Sequence, residues 1–132
     1  MDSYLYKEEI LDHYKNPQNF GVLATYHVSS KQLNPLCGDE IEMFIRFEKN
    51  SAGGASSPPQ GRKIHTITFV GHGCAISIAA TSMLTEFVRD KKKTELTKFS
   101  QENMLDLLGI DLSETRRKCA LLGWAVLQDC LR

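Results

Sequence analysis

NPLCGDEIEMFIRFE, Asn34 to Glu48, contains the most regular alternation in the chain. Ile41, Met43, Ile45 and Phe47 interleave with Glu40, Glu42, Arg46 and Glu48. A period of two means a strand with one face in a core and the other in water. Directly before it stand a thiol, a glycine and a carboxylate: Cys37, Gly38 and Asp39. A buried structural cysteine has no need of an aspartate two residues away, and a turn has no need of a cysteine. Gly38 admits a backbone conformation closed to other residues, which lets Cys37 and Asp39 both face inward across a tight bend.

Outward from this strand, Lys63–Val70 repeats the pattern, with Thr66 and Thr68 opposed to Ile67 and Phe69. Between the two lies NSAGGASSPPQG, residues 50–61, a polar stretch that reads as a flexible insertion. Two strands joined by one polar loop predict an antiparallel hairpin. Tyr26–Gln32 is expected to be a further short strand. Upstream, Asp2 or Ser3 can cap a first helix carrying Tyr6, Ile10 and Tyr14 on one stripe, and Pro17 ends it.

Downstream, GHGC at Gly71–Cys74 turns the chain into a helix with Ile76, Ala79, Ala80, Met83, Leu84, Phe87 and Val88 on its apolar side. The run DKKK, Asp90–Lys93, is expected to end it as a solvated charge cluster. A shorter helix follows from Gln101, capped by Ser100 and stopped at Gly109. The last helix starts near Asp111–Ser113 and buries Ala120, Leu121, Trp124, Leu127 and Leu131. Strands early and helices late predict an α+β fold rather than an alternating parallel sheet.

At 132 residues the chain fits a single domain, and 42% hydrophobic with 24% charged residues is ordinary globular composition. Lys+Arg and Asp+Glu are both 16, so no basic excess exists to neutralise nucleic acid. No run is long enough for a membrane span. The start MDSYLYKEEILDHY carries acids where an export signal has a cationic flank and an apolar stretch. These features predict a cytoplasmic protein with reduced thiols, so the four cysteines are not expected to form two disulfides.

Cys37, Cys74 and Cys119 each sit at the boundary of an element, where they can converge on one rim of a small domain. With Asp39 they offer three thiolates and a carboxylate, a set that suits tetrahedral zinc or an iron–sulfur cluster. Scattered structural thiols are the competing reading. Gly71 and Gly73 supply backbone freedom before Cys74, and a helix N-terminus there favours its thiolate. Arg116, Arg117 and Lys118 lie in the early turns of a helix, where the macrodipole disfavours cations. A strongly anionic site offsets that, while a solvated patch or a docking surface for an acidic partner explains it equally well. Cys130 follows Cys119 by eleven residues, roughly 16 Å along a helix axis, too far to share one ion. His72 reads as a turn histidine in solvent rather than an auxiliary ligand, and His13, His27 and His65 show no partner pattern.

Three segments in order, NPLCGDEIEMFIRF, FVGHGCAISIAATSMLTEFV and RRKCALLGWAVLQDCL, resemble the IscU, SufU and NifU N-terminal group of iron–sulfur cluster assembly proteins. The resemblance extends back to YKEEILDHYKNPQNFGVL in the first helix. It implies a three-stranded antiparallel sheet with helices packed on one face, and a metal site at Cys37, Asp39, Cys74 and Cys119. It also implies sulfur taken from a pyridoxal-phosphate cysteine desulfurase of the SufS, IscS or NifS type, with Cys37 and Cys119 as candidate acceptors. Zinc and a transient iron–sulfur cluster, of the 2Fe–2S kind, are the implied cofactors. Apo iron–sulfur proteins or downstream carriers are the implied recipients.

The chain departs from the IscU pattern at Lys118, where that group has histidine, and at SETRRK, where it has Leu-Pro-Pro-Val-Lys. It departs from SufU in lacking an enlarged segment between the second and third cysteines. Scaffold and zinc-dependent sulfur relay both stay open, as does a zinc-stabilised interaction module without sulfur chemistry. The scaffold and relay readings describe an assembly protein or sulfurtransferase rather than an ordinary turnover enzyme.

Overall fold

The computed structural model describes residues 3–35, 38–48 and 62–132, with side chains from residue 8 onward. In chain order the elements are α1 (Ser3–Lys15), β1 (Val28–Asn34), β2 (Asp39–Phe47), β3 (Ile64–His72), α2 (Ala75–Val88), α3 (Lys93–Thr97), α4 (Gln101–Leu108) and α5 (Glu114–Leu131). The strands form one antiparallel sheet in the order β1-β2-β3. The α+β architecture predicted from the sequence is the one observed.

Register explains the sheet's two faces. Met43 pairs with Ser30 and Phe69, and Ile45 with Val28 and Ile67, so these residues share one face. Ile41, Met43, Ile45, Phe47, Ile67 and Phe69 pack there with Ala79, Ala80 and Leu84 of α2 and with Ala120, Val126 and Leu127 of α5. Each of the larger side chains, from valine to phenylalanine, contributes about 1.5–3 kcal/mol on burial. The opposite face is polar as expected, with Glu40 between Lys31 and His72, but Phe44 is an exception. It is buried because Tyr26 folds edge-on over it, ring centroids 5.1 Å apart.

Other departures from the sequence reading have identifiable causes. β1 runs two residues later than Tyr26–Gln32, because its pairing continues to Asn34 opposite Asp39. Its core-facing Ser30 and Gln32 are polar and both reach the Asp129 carboxylate on α5. On α1, Ile10 is buried but Tyr14 is exposed, so the predicted stripe is narrower; Asp2 and the Tyr6 side chain lie outside the described residues. Ser3 is the first residue of the helix itself.

Helix α2 is buried nearly all round, not on one side. Its Ser82 accepts from the Gln18 backbone at 2.7 Å and meets His13 Nδ1 at 2.7 Å, and Thr85 accepts from Asn19 at 3.1 Å. The DKKK run does end α2, with Asp90 at φ 65°, but its backbone is not free. Ile64 donates to Lys91 O at 3.0 Å and Lys93 to Arg62 O at 3.0 Å. The run then enters α3, a helix the sequence reading missed, anchored by buried Leu96.

The caps expected for α4 hold. Ser100 and Asn103 form a reciprocal capping box, Gly109 closes α4 at φ 68°, and Ser113 caps α5. The expected flexible insertion at 50–61 lies outside the described residues.

Candidate metal centre

One end of the sheet meets the first turns of α2 and α5. Asp39 opens β2, Cys74 is the N-cap of α2, and Cys119 lies in the second turn of α5. One carboxylate oxygen and the two sulfurs lie within 4.8 Å of one another. Among the described residues this is the one cluster of three or more such donors. Cys37 lies outside the described residues.

The local chain is shaped to bring these groups together. The Gly38 N–H donates to Asn34 O at 2.9 Å, and Gly38 sits at φ 70°, the conformation foreseen for the bend between β1 and β2. Gly71 serves differently from the expectation. It is still part of β3, and a side chain there would strike the Glu40 carbonyl, so close strand approach is what requires glycine. Gly73 adopts φ 155°, and a Cβ on it would collide with the Asp39 carboxylate. The turn into α2 therefore exists in this form only because residue 73 has no side chain.

Asp39 is fully buried. Its Oδ1 accepts the Cys74 backbone N–H at 2.9 Å, and its Oδ2 lies 3.8 Å from Cys74 Sγ. Asp39 thus does the work of an N-cap from another strand, at the positive end of the α2 dipole. No cationic side chain pairs with it among the described residues. An ionised carboxylate held this deep costs several kcal/mol unless an opposite charge compensates it. A cation seated among a carboxylate and soft sulfur donors supplies that charge. The 3.8 Å between Asp39 Oδ2 and Cys74 Sγ falls in the ~3–4 Å range that ~2.3 Å metal–sulfur bonds impose. The residues present fit a bound metal.

Cys119 is buried and Cys74 stands at the solvent rim. Cys119 Sγ also receives Asn34 Nδ2, 3.9 Å away, from the last residue of β1. Sequence reasoning did not single out Asn34; its place directly across the ladder from Asp39 is a consequence of register. Arg116, Arg117 and Lys118 are exposed at the entrance to α5. His72 is exposed as expected, 3.6 Å from Glu40 on the outer face of the sheet. The other histidines have structural partners that no sequence pattern announced: His13 between Ser82 and Glu86, His27 accepting from Phe47 N–H, and His65 beside Thr66.

Cys130 is remote from the cluster, as predicted from helix rise. Burial, aided by the neighbouring Asp129 charge, pushes its thiol from 9.0 up to about 12. It is an inert core thiol.

Residues 5–132 match the model of the NifU-like N terminal domain. The zinc-dependent sulfurtransferase SufU of Bacillus subtilis is 30% identical over 141 residues, covering 94% of this chain and 87% of that protein. The iron–sulfur cluster assembly scaffold protein IscU of Streptococcus pyogenes is 31% identical over 148 residues, covering 98% and 84%. Among solved structures, one from Fervidobacterium islandicum, described as an iron–sulfur cluster assembly scaffold protein for the SUF system, superposes with a TM-score of 0.77. It is 26% identical, over 100% of both chains. A NifU-like N-terminal protein from Brucella abortus, at 18% identity and a TM-score of 0.70, shares the fold.

Proposed function

The chain belongs to the NifU-like N terminal domain family, and from that footing we propose that it accepts sulfur and metal for iron–sulfur cluster assembly at Asp39, Cys74 and Cys119, with Cys37 as the fourth donor. The observation that carries this reading is a fully buried carboxylate set within 4.8 Å of two cysteine sulfurs and facing no cationic side chain among the described residues.

The donors divide by chemistry. Cys37, Cys74 and Cys119 are the soft ligands that bind zinc or the irons of a cluster firmly, while Asp39 is the hard, exchangeable one. Resident zinc orders the donors and restrains the thiols from oxidation. The sulfur donor is a cysteine desulfurase, which keeps its pyridoxal phosphate and presents a persulfide. A thiolate of this chain, Cys37 or Cys119, attacks the outer sulfur of that persulfide. The new S–S bond forms as the donor's own S–S bond breaks, and the donor cysteine leaves as thiolate. No net oxidation occurs. Asp39, tied to the Cys74 N–H, holds the α2 turn in register while the sulfurs exchange partners. The assembled cluster, of the 2Fe–2S kind, is cargo for apo iron–sulfur proteins or downstream carriers in the cytoplasm.

Incubating zinc-loaded protein with a cysteine desulfurase and isotopically labelled cysteine tests the proposal by mass spectrometry. The expected result is one or more labelled sulfurs on Cys37 or Cys119. Bound zinc without any sulfur transfer overturns the sulfur chemistry and leaves a zinc-stabilised interaction module.

A further inference from the structure

Ser77 is fully buried on α2, and its hydroxyl has no hydrogen-bond partner among the described residues. A buried hydroxyl without a partner costs about 1–3 kcal/mol, so the group calls for a physical account. The local partners are taken or unused. Ser77 is the third residue of α2, from which a side chain can turn back to the N-cap N–H, but that N–H belongs to Asp39. Thr81 bonds back to the Ser77 carbonyl at 2.9 Å and Thr85 to the Ser82 carbonyl at 2.7 Å, whereas Ser77 makes no such bond.

The packing of α2 on α5 indicates what lies across from it. A Cβ at Gly123 would run into the Thr81 side chain, so the two helices make a close approach at that pair. Both helices lead away from the cluster, since Cys74 and Cys119 mark their near ends. One turn back toward the cluster from Thr81 is Ser77, and one turn back from Gly123 is Cys119.

We infer that Ser77 Oγ–H is a donor for the Cys119 sulfur when that sulfur is charged, acting beside the observed Asn34 amide. A neutral thiol is a poor acceptor and gives the hydroxyl little to bind, whereas a thiolate accepts strongly. Ser77 thus contributes nothing to the metal-free fold and strengthens the loaded state. It is a positioning residue, fixing the direction and charge of a ligand sulfur through a hydrogen bond. The inference deepens the function proposed above and rests on it.

Cobalt(II), whose sulfur-to-metal absorption reports charge on the ligand sulfur, is the probe, with the full chain as wild type, Ser77→Ala and Ser77→Thr. Ser77→Ala is expected to bind cobalt about 10-fold or more weakly and to move the absorption to lower energy. Ser77→Thr, which keeps the hydroxyl, restores both. Metal-free Ser77→Ala should melt no lower than wild type. Equal affinity and an unmoved band in Ser77→Ala overturn this inference alone. So does a lower metal-free melting temperature that threonine does not rescue, since the serine is then a packing residue. A wild type that takes up cobalt without thiolate absorption overturns the metal centre and this inference with it.

Discussion

The two described ends of α5 carry one cysteine each, equally hidden from solvent at 3% exposure, yet they belong to different chemistries. Cys119 faces a carboxylate, a second thiol and an amide donor. Cys130 packs into the hydrophobic core, and the carboxylate beside it, Asp129, is turned to Ser30, Gln32 and Arg132. Burial alone therefore says little about what a thiol does. What differs is whether the neighbours can share a cation with the sulfur or only enclose it in the core. At the Cys119 end, α2 begins and donors converge; at the Cys130 end desolvation and an adjacent charge keep the proton on sulfur.

The largest effect should come from exchanging the two positions' fates. Cys119→Ser is expected to weaken zinc binding by more than ~100-fold, beyond the ~10–100-fold typical of losing a group that merely supports a ligand. Cys130→Ala should leave zinc affinity within a factor of two or so while costing about 1 kcal/mol of stability from a small cavity. Competition titration against a chelator, with urea unfolding of the same samples, reads both. Comparable losses of affinity in the two variants would erase the contrast.

A smaller effect isolates the backbone that makes the Cys119 end possible. Gly73→Ala forces a methyl group against the Asp39 carboxylate and holds alanine at φ 155°, costing about 1–3 kcal/mol. Zinc affinity should fall with it, because Asp39 cannot stay both buried and tied to the Cys74 N–H. Chelator competition and urea unfolding again separate the two quantities. Full retention of zinc affinity would mean that Asp39 is not a ligand.

The same contrast explains what was legible in the sequence. The alternation of Ile41, Met43, Ile45 and Phe47 is set by local period, and so it placed the central strand to within two residues at its start. Ser100, Gly109 and Ser113 act through bonds to near neighbours, and so the helix ends were legible too. Cys74, Cys119 and Asp39 stood out because reactive side chains at element ends are odd residues for a core. What could not be read depends on distant partners. The all-round burial of α2 requires Gln18 and Asn19 to satisfy its hydroxyls, and β1 requires Asp129 to satisfy Gln32. Helix α3 is too short to stand by itself, and α5 completes it: Gln128 donates to Leu96 O at 2.9 Å and Trp124 to Phe99 O at 2.8 Å. Asn34 looks like an ordinary turn residue until register brings it toward Cys119.

The smallest effect at neutral pH, and the cleanest test of the Cys130 end, is alkaline. Its thiol ionises near 9.0 when unfolded and near 12 in the fold. Between those values the unfolded chain has released a proton that the folded chain retains, so the unfolded state binds fewer protons and stability falls as pH rises. Below pH 9.0 the contribution is fully present and changes nothing. Above it the slope approaches ~1.4 kcal/mol per pH unit for this one group. Lysine and tyrosine side chains also titrate in that range, so the measurement is a difference: urea unfolding of wild type and Cys130→Ala at a series of pH values. The wild type should lose its advantage of about 1 kcal/mol within about one pH unit above 9.0 and then fall below the variant as the pH rises further. Parallel stability curves would show that Cys130 ionises alike in both states, and the two ends of α5 would then differ only in which metal ligands happen to be near.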